Sequence, residues 1–152
     1  MIKYIAGFKL TQLLISFLGS TYVLFVYKTS TINLKNRKNI ESLFKKNKSF
    51  IYAFWHDQLL MCPLTWQSEL EIKVLISKHR DSPILPVGIG FKKKWVLSTW
   101  DKFIIPKPFN QITIIWGEPL PAIKNEKSTN RIKNKLESTM YSLTKRANKN
   151  NK

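Results

Sequence analysis

The chain has 152 residues and a mass of 17.8 kDa, a length that suits one domain rather than two. Hydrophobic residues make up 43% of it and aromatic residues 12%, which excludes a wholly disordered protein. The single cysteine, Cys62, excludes an internal disulfide framework and a cysteine-cluster zinc site. Two histidines offer little basis for a histidine-rich metal centre, so we expect no metal site.

The chain is strongly basic. Its 26 Lys and Arg residues against 9 Asp and Glu residues give a net charge of +17, which favours an anionic partner such as phospholipid headgroups, nucleic acid or an acidic carrier protein. Lysine accounts for most of this charge, and lysine, asparagine and isoleucine are abundant along the whole chain. This pattern is typical of a low-GC coding bias, so charge alone does not identify the partner.

The N-terminal segment is the most apolar part of the sequence. Eighteen consecutive residues, Leu10–Tyr27, carry no charge, and as a helix they would be about 27 Å long, close to the thickness of a hydrocarbon core. We therefore predict a membrane-anchor or interfacial helix within residues 1–28. Two alternatives stay open: a cleaved signal peptide, which Lys3 and Lys9 would suit, and a buried or interfacial helix packed on the domain.

The distribution of lysine and arginine predicts an orientation for a spanning helix. Four basic residues follow the apolar segment closely and outnumber the two that precede it: Lys28, Lys35, Arg37 and Lys38. Because cytoplasmic flanks carry the excess of positive charge, we expect the bulk of the protein on the cytoplasmic side of the inner membrane, anchored or peripheral.

After this segment, short strands alternate with helical stretches. The pattern predicts a strand at Thr31–Leu34, a helix at Arg37–Lys46 and a helix from Asp57 to Trp66 that Pro63 interrupts or ends. Further strands are predicted at Ser49–Trp55, buried on both faces, and at Ile72–Ser77, Ile84–Phe91, Trp95–Trp100 and Gln111–Trp116. Pro86 suggests an edge strand or a bulge.

The C-terminal part returns to helical periodicity. Five apolar residues fall on one face of the predicted helix: Ile132, Leu136, Met140, Leu143 and Ala147. Strands separated by helical stretches indicate an α/β domain over residues 29–148, and the polar residues 149–152 are expected to form a frayed tail.

His56 is the most informative candidate for chemistry. It follows an aromatic strand directly, and open α/β sheets place their sites at the carboxyl ends of strands. A neutral imidazole there can take a proton from an alcohol or amine, with a nearby carboxylate to orient it. Asp57 is adjacent in sequence and therefore badly directed, whereas Asp81 follows the next predicted strand. The plain alternative is a structural, hydrogen-bonded histidine.

Several segments in a fixed order carry a family resemblance. They are Phe54-Trp55-His56, then Leu75 to Asp81, Pro83 to Gly88, Trp100 to Phe109 and Gly117 to Leu120. Read together, they resemble the bacterial domain-of-unknown-function branch of the lysophospholipid acyltransferase superfamily. The block Trp100-Asp101-Lys102-Phe103 with its Pro-x-Pro-Phe ending is the most distinctive part, and the resemblance extends from Tyr27 to Leu120.

The resemblance implies an acyltransferase-like α/β fold, with a mixed sheet, flanking helices and an N-terminal apolar helix. Such enzymes transfer a fatty acyl group from acyl-CoA or acyl carrier protein to a lipid hydroxyl and need no metal or cofactor. His56 would be the general base, and Asp81 would share the catalytic site. Three residues would bind substrate phosphate beside an anionic membrane: Lys78, His79 and Arg80.

The sequence departs from that family in two places. The superfamily usually shows H-x-x-x-x-D, but Met61 stands where the aspartate is expected. In relatives the His-Arg-Asp segment leads into a long stretch with an Arg-Gly-Ser turn and a Pro-Asp-Gly-Pro-Arg-Gly-Pro loop, whereas here Asp81 leads through Ser82 directly to Pro83. We therefore expect an internally truncated domain. If Ile72–Ser77 and Ile84–Phe91 pair across this junction, the hairpin would be antiparallel.

Two further features have competing interpretations. Lys92-Lys93-Lys94 before Trp95 suits contact with lipid headgroups, but a solvated turn between strands is the preferred interpretation. Asp101 is expected to make a structural hydrogen bond rather than a catalytic one.

Three functions follow from the sequence. The first is a membrane-associated acyltransferase-family protein with His56 as general base. The second is a catalytically inactive, truncated remnant of that family. The third is a small basic nucleic-acid-binding protein, which the charge favours; because the chain has no recognition motif and few arginines, we expect no specific nucleic-acid partner.

Overall fold

The computed structural model describes residues 9–45, 49–65, 82–123 and 126–151. These residues form helices α1 (Lys9–Thr29), α2 (Arg37–Lys45) and α3 (Glu126–Lys149), and a 3₁₀ segment at His56–Thr65. They also form strands β1 (Thr31–Lys35), β2 (Ile51–Ala53), β3 (Ile84–Phe91), β4 (Lys94–Val96), β5 (Ile104–Pro106) and β6 (Gln111–Trp116). The protein is thus of the mixed α/β class, with a mixed sheet and an apolar N-terminal helix.

The main sheet has the strand order β1-β6-β3-β2. β1 runs parallel to β6, β6 antiparallel to β3, and β3 parallel to β2. β4 and β5 pair as a separate antiparallel hairpin. Because both faces of β3 are covered, all eight of its residues are buried, which agrees with its almost uninterrupted apolar sequence.

Helix α3 covers β3 and β6 at unusually short range. A Cβ atom added at Gly88 would lie 2.6 Å from backbone atoms of Leu143 and Thr144, and one added at Gly90 would meet the backbone of Ala147. Glycine is required at both positions because the helix backbone occupies the space of a side chain. The apolar face predicted for this helix is confirmed: Ile132, Met140, Leu143 and Ala147 are buried, and Leu136 is partly buried.

Several strand predictions differ from the structure. β2 is shorter than Ser49–Trp55 and only half-buried. Pro86 does not mark an edge strand, because β3 lies between β6 and β2. The pairing of β2 with β3 ends at Ala53–Pro86, so the missing N–H of the proline falls at the end of this ladder and does not interrupt it. β4 covers only part of Trp95–Trp100. The predicted strand at Ile72–Ser77 and its hairpin lie outside the described residues.

Two helical predictions also differ. The stretch after β2 is a 3₁₀ helix that continues past Pro63. The expected frayed tail is ordered at Asn151, which is 2% exposed and whose Oδ1 accepts a hydrogen bond of 2.6 Å from the Thr113 hydroxyl. Asn148 likewise accepts a bond from the Phe91 N–H, so polar side chains without periodicity fix the end of the chain to the sheet.

The contact between β3 and α3 predicts the effect of one substitution. Gly90→Ala forces the helix away from the sheet, and we expect it to lower the free energy of unfolding by about 1–3 kcal/mol. Urea unfolding of the full chain in mild detergent measures this. Gly19→Ala is the matched control, because nothing lies within 4 Å of a Cβ added at Gly19. Equal stability of the two variants would contradict the prediction.

Candidate functional site

His56 lies at the start of the 3₁₀ segment, three residues after β2 ends. Gln58 fixes this segment to the sheet: its side chain is 1% exposed, and its Oε1 accepts a hydrogen bond of 3.1 Å from the Ile89 N–H of β3. The side chain of His56 is 62% exposed, and its Nδ1 lies 2.9 Å from Oδ2 of Asp101. The structure therefore joins His56 to a carboxylate 45 residues away in sequence.

A tight turn holds Asp101 in position. The Lys102 N–H donates to the Thr99 carbonyl at 3.1 Å, and the Phe103 N–H donates to the Thr99 hydroxyl oxygen at 3.2 Å. Lys102 takes a left-handed conformation with φ of 53°, which closes the turn. Hydrogen bonding from the Thr99 hydroxyl and then from His56 holds the pKa of Asp101 below its ordinary value. Asp101 is therefore ionised at neutral pH.

An ionised Asp101 determines the tautomer of a neutral His56. Because a carboxylate only accepts hydrogen bonds, the imidazole proton lies on Nδ1 and points at Asp101. Nε2 then carries the lone pair and can act as a base. The contact has the two properties of an oriented general base, namely a fixed tautomer and a negative charge that stabilises the imidazolium.

His56 lies at the protein surface, whereas the side chain of Asp101 is only 10% exposed. The Trp100 ring, 88% exposed, stands 5.7 Å from the His56 ring at an angle of 33°. A cleft of about 600 Å³ opens next to it, between the 3₁₀ segment and α3, and is lined by Asp57 but not by His56. In the described part of the chain the imidazole thus faces open solvent, and an enclosed pocket does not surround it.

Asp57, the sequence neighbour of His56, has a different environment. Burial raises its pKa, a nearby Lys94 lowers it and the Asp101 charge raises it. Its Oδ1 is buried without a hydrogen-bond partner among the described residues. Asp57 is thus a carboxylate whose charge the fold disfavours, and His56 is bonded to the distant Asp101 instead.

The other predicted site residues have mixed outcomes. Asp81, the predicted catalytic partner, lies outside the described residues, as do the predicted substrate-binding residues Lys78, His79 and Arg80. Met61, which stands at the aspartate position of the superfamily motif, is 2% exposed and belongs to the core. Asp101, expected to make a structural hydrogen bond, does make a hydrogen bond, and its partner is His56, which the sequence did not identify. Within the described residues, no three His, Cys, Asp or Glu side chains could share a metal ion.

The same block contacts helix α1 at its other end. The Tyr22 hydroxyl donates to the Pro106 carbonyl at 2.7 Å, and the Phe25 ring meets the Phe109 ring edge-on, with centroids 6.1 Å apart. Phe109 has a left-handed φ of 52°, and its N–H donates to the Thr29 hydroxyl. The Pro-x-Pro-Phe ending therefore fixes the last two turns of α1 to the domain.

Helix α1 is apolar on almost every side. Only Val26 is buried, and the large side chains nearer the N-terminus of the helix are strongly exposed: Leu10, Leu13, Leu14, Ile15, Phe17 and Leu18. Its 21 residues and mean hydropathy of 1.6 are sufficient to cross a membrane. A signal sequence has the same length and composition. A helix buried in the domain does not fit this exposure, although the last two turns of α1 pack on the domain.

Comparison with known proteins finds an uncharacterized relative. An uncharacterized protein of Rickettsia prowazekii (strain Madrid E) is 26% identical over 212 aligned positions, which cover 93% of this chain and 95% of the relative. Because the alignment is longer than this chain, it includes positions at which this chain has no residue. No family profile matches the chain, and no solved structure matches it.

The bond between His56 and Asp101 predicts a spectroscopic difference. In alkaline buffer the wild-type His56 should be the Nδ1–H tautomer, and Asp101→Asn should shift it toward the Nε2–H form that predominates in free imidazole side chains. Nitrogen-15 chemical shifts of the two histidines measure the tautomer, with His56→Gln to assign the signals. An unchanged His56 spectrum in Asp101→Asn would show that the bond does not persist in solution.

The environment of Asp57 predicts a pH-dependent gain in stability. Since the folded-state pKa is raised, ionisation of Asp57 destabilises the fold above that pKa and has no effect below the unfolded value. Asp57→Asn should therefore increase the free energy of unfolding at pH 7 by about 1 kcal/mol or less, because the group is partly exposed. The gain should vanish in acid. Urea unfolding at several pH values tests this; a gain that persists in acid would exclude ionisation as its cause.

Proposed function

We propose that this protein is a membrane-associated member of the lysophospholipid acyltransferase-like family, with His56 as general base. The observation that carries the proposal is the 2.9 Å contact between His56 Nδ1 and Asp101 Oδ2. A histidine oriented by an ionised carboxylate is the arrangement that acyl transfer to a hydroxyl uses. The exposed apolar face of α1 supports the location of the reaction at a membrane.

The proposed reaction is a direct transfer between two substrates. His56 Nε2 takes the proton of the lipid hydroxyl while the hydroxyl oxygen forms an ester bond to the thioester carbonyl carbon. The carbon–sulfur bond breaks, and the thiolate of CoA or of acyl carrier protein leaves and recovers the proton from the imidazolium. Asp101 remains ionised throughout and stabilises the positive charge on the imidazole.

The substrates follow from the family resemblance and from charge. Acyl-CoA or acyl carrier protein would be the donor, and anionic membrane lipids would surround the acceptor. By the resemblance, Lys78, His79 and Arg80 would hold substrate phosphate, and Asp81 would share the catalytic role with His56. The basic residues after α1 support a domain on the cytoplasmic side of the inner membrane.

A second candidate is a catalytically inactive remnant of the same family. Two observations favour it. The alignment with the Rickettsia protein contains positions that this chain lacks, as expected of an internally truncated domain. In addition, the described residues leave His56 open to solvent rather than enclosing it in a pocket that would hold an acceptor.

Acyl transfer by the full chain distinguishes the two candidates. The purified protein is incubated in phosphatidylglycerol vesicles with labelled acyl-CoA or acyl carrier protein and lysophospholipids. His56→Ala should lower the transfer rate by about 10²-fold or more, because the proton acceptor is lost, and Asp101→Asn by about tenfold or more. Glu137→Gln, which neutralises an exposed carboxylate on α3, is the matched control.

Two results would change the assignment. Equal transfer by the wild type and His56→Ala would remove His56 from the mechanism. Absence of transfer by the wild type, with the Nδ1–H tautomer of His56 intact in the nitrogen-15 spectrum, would favour the inactive remnant.

A further inference from the structure

One surface segment combines strong exposure, positive charge and large apolar side chains. All nine residues from Lys92 to Trp100 are exposed. Their sequence, KKKWVLSTW, contains three lysines and four large apolar residues. Trp100 is among the most exposed residues of the described chain, and β4, which begins two residues after Lys92, has no buried residue. Exposed apolar clusters of this kind mark contact surfaces.

We infer that the segment 92–100 is a second membrane contact, in which Trp95 and Trp100 lie in the headgroup layer of an anionic phospholipid bilayer and Lys92–Lys94 contact lipid phosphates. This inference rests on the membrane association contained in the proposed function and does not depend on acyl transfer. We call residues 92–100 the basic hairpin arm.

Position supports a bilayer as the occupant. The basic hairpin arm is fixed beside α1 by a short chain of contacts: Trp95 pairs with Ile105 across the β4–β5 hairpin, and the neighbouring Pro106 carbonyl accepts the hydroxyl of Tyr22 in α1. The Lys107 N–H also donates to the Lys93 carbonyl at 3.1 Å. A membrane that holds α1 therefore lies within reach of the arm.

Composition and charge favour lipid over a protein partner. Tryptophan prefers the membrane–water interface because its ring is apolar and its N–H is polar. Five lysines lie between residues 92 and 107, against Asp101 as the sole acidic residue there, and Asp101 already bonds to His56. The Lys107 ammonium lies 4.9 Å from the centre of the Trp95 ring, so a positive charge is held directly beside this indole. This pattern matches anionic headgroups.

The inferred contact has a consequence for the site. The Trp100 ring stands beside the imidazole of His56, and Asp101 follows Trp100 directly. A Trp100 ring in the headgroup layer would place His56 at the level where lipid hydroxyls occur. The acceptor would then reach the base laterally from the bilayer, without a deep pocket in the protein.

Quenching of tryptophan fluorescence by brominated lipid tests the inference. The full chain is reconstituted into vesicles of phosphatidylglycerol and phosphatidylcholine brominated near the top of the acyl chains. Trp100→Phe should remove about half of the lipid quenching, because Trp95 and Trp100 are the two exposed tryptophans of the described residues. Trp116→Phe, at a buried position, should leave the quenched amount unchanged. Circular dichroism confirms that each variant is folded.

Charge is tested by a matched pair of variants. Neutralising Lys92, Lys93 and Lys94 to glutamine should lower the quenching of Trp100 at least twofold, whereas neutralising Arg131, Lys133 and Lys135 on α3 removes the same charge and should have no such effect. Unchanged quenching in Trp100→Phe, with the protein still floating with vesicles, would overturn the inference and leave the proposed function standing. If Trp100 instead becomes shielded from solvent as the protein concentration rises, in the absence of lipid, the inference is overturned in favour of contact with a second copy of this chain.

Discussion

The backbone of α3 lies against Gly88 and Gly90, and this close approach supports the rest of the structure. It seals β3 and β6 on one side, so these two strands can be almost wholly apolar. The 3₁₀ segment depends on the same strand, because the buried Gln58 side chain bonds to the Ile89 N–H. His56 therefore takes its position from the central strand β3, although it lies at the surface.

The second organising feature is the stretch from Thr99 to Phe109, which connects two separate parts of the molecule. Its first turn presents Asp101 to His56, and its last residues bind the end of α1 through Pro106 and Phe109. Both ends contain a residue in the left-handed region, Lys102 and Phe109, where a side chain is tolerated only if surrounding contacts hold it. A distinctive sequence block thus corresponds to a structural link between the imidazole and the apolar helix.

The sequence predicts the regular parts of this fold well. The apolar face of α3, the strands β3 and β6 and the extent of α1 follow from periodicity or from an unbroken apolar run, because burial alone specifies them. The hydrogen-bond partner of His56 does not follow from periodicity. His56 and Asp101 are 45 residues apart in the sequence, and no local pattern indicates that the turn at Asp101 lies next to His56 in the fold. The position of Asn151 does not follow from sequence for a similar reason. An asparagine that accepts a hydrogen bond from Thr113 of β6 looks, in the sequence, like any other polar residue of a tail.

The pairing of β1 with β6 has a consequence for synthesis of the chain. β1 at residues 31–35 finds its partner among the described strands only at residues 111–116, so it waits for nearly the entire sheet to be translated. At translation rates of about 5–20 residues per second, this delay is roughly 4–16 s. During that interval the strand emerges directly behind α1 without its neighbour, and the covering helix α3 arrives later still. Until residues 111–116 are made, β1 therefore has none of the backbone hydrogen bonds that β6 later supplies.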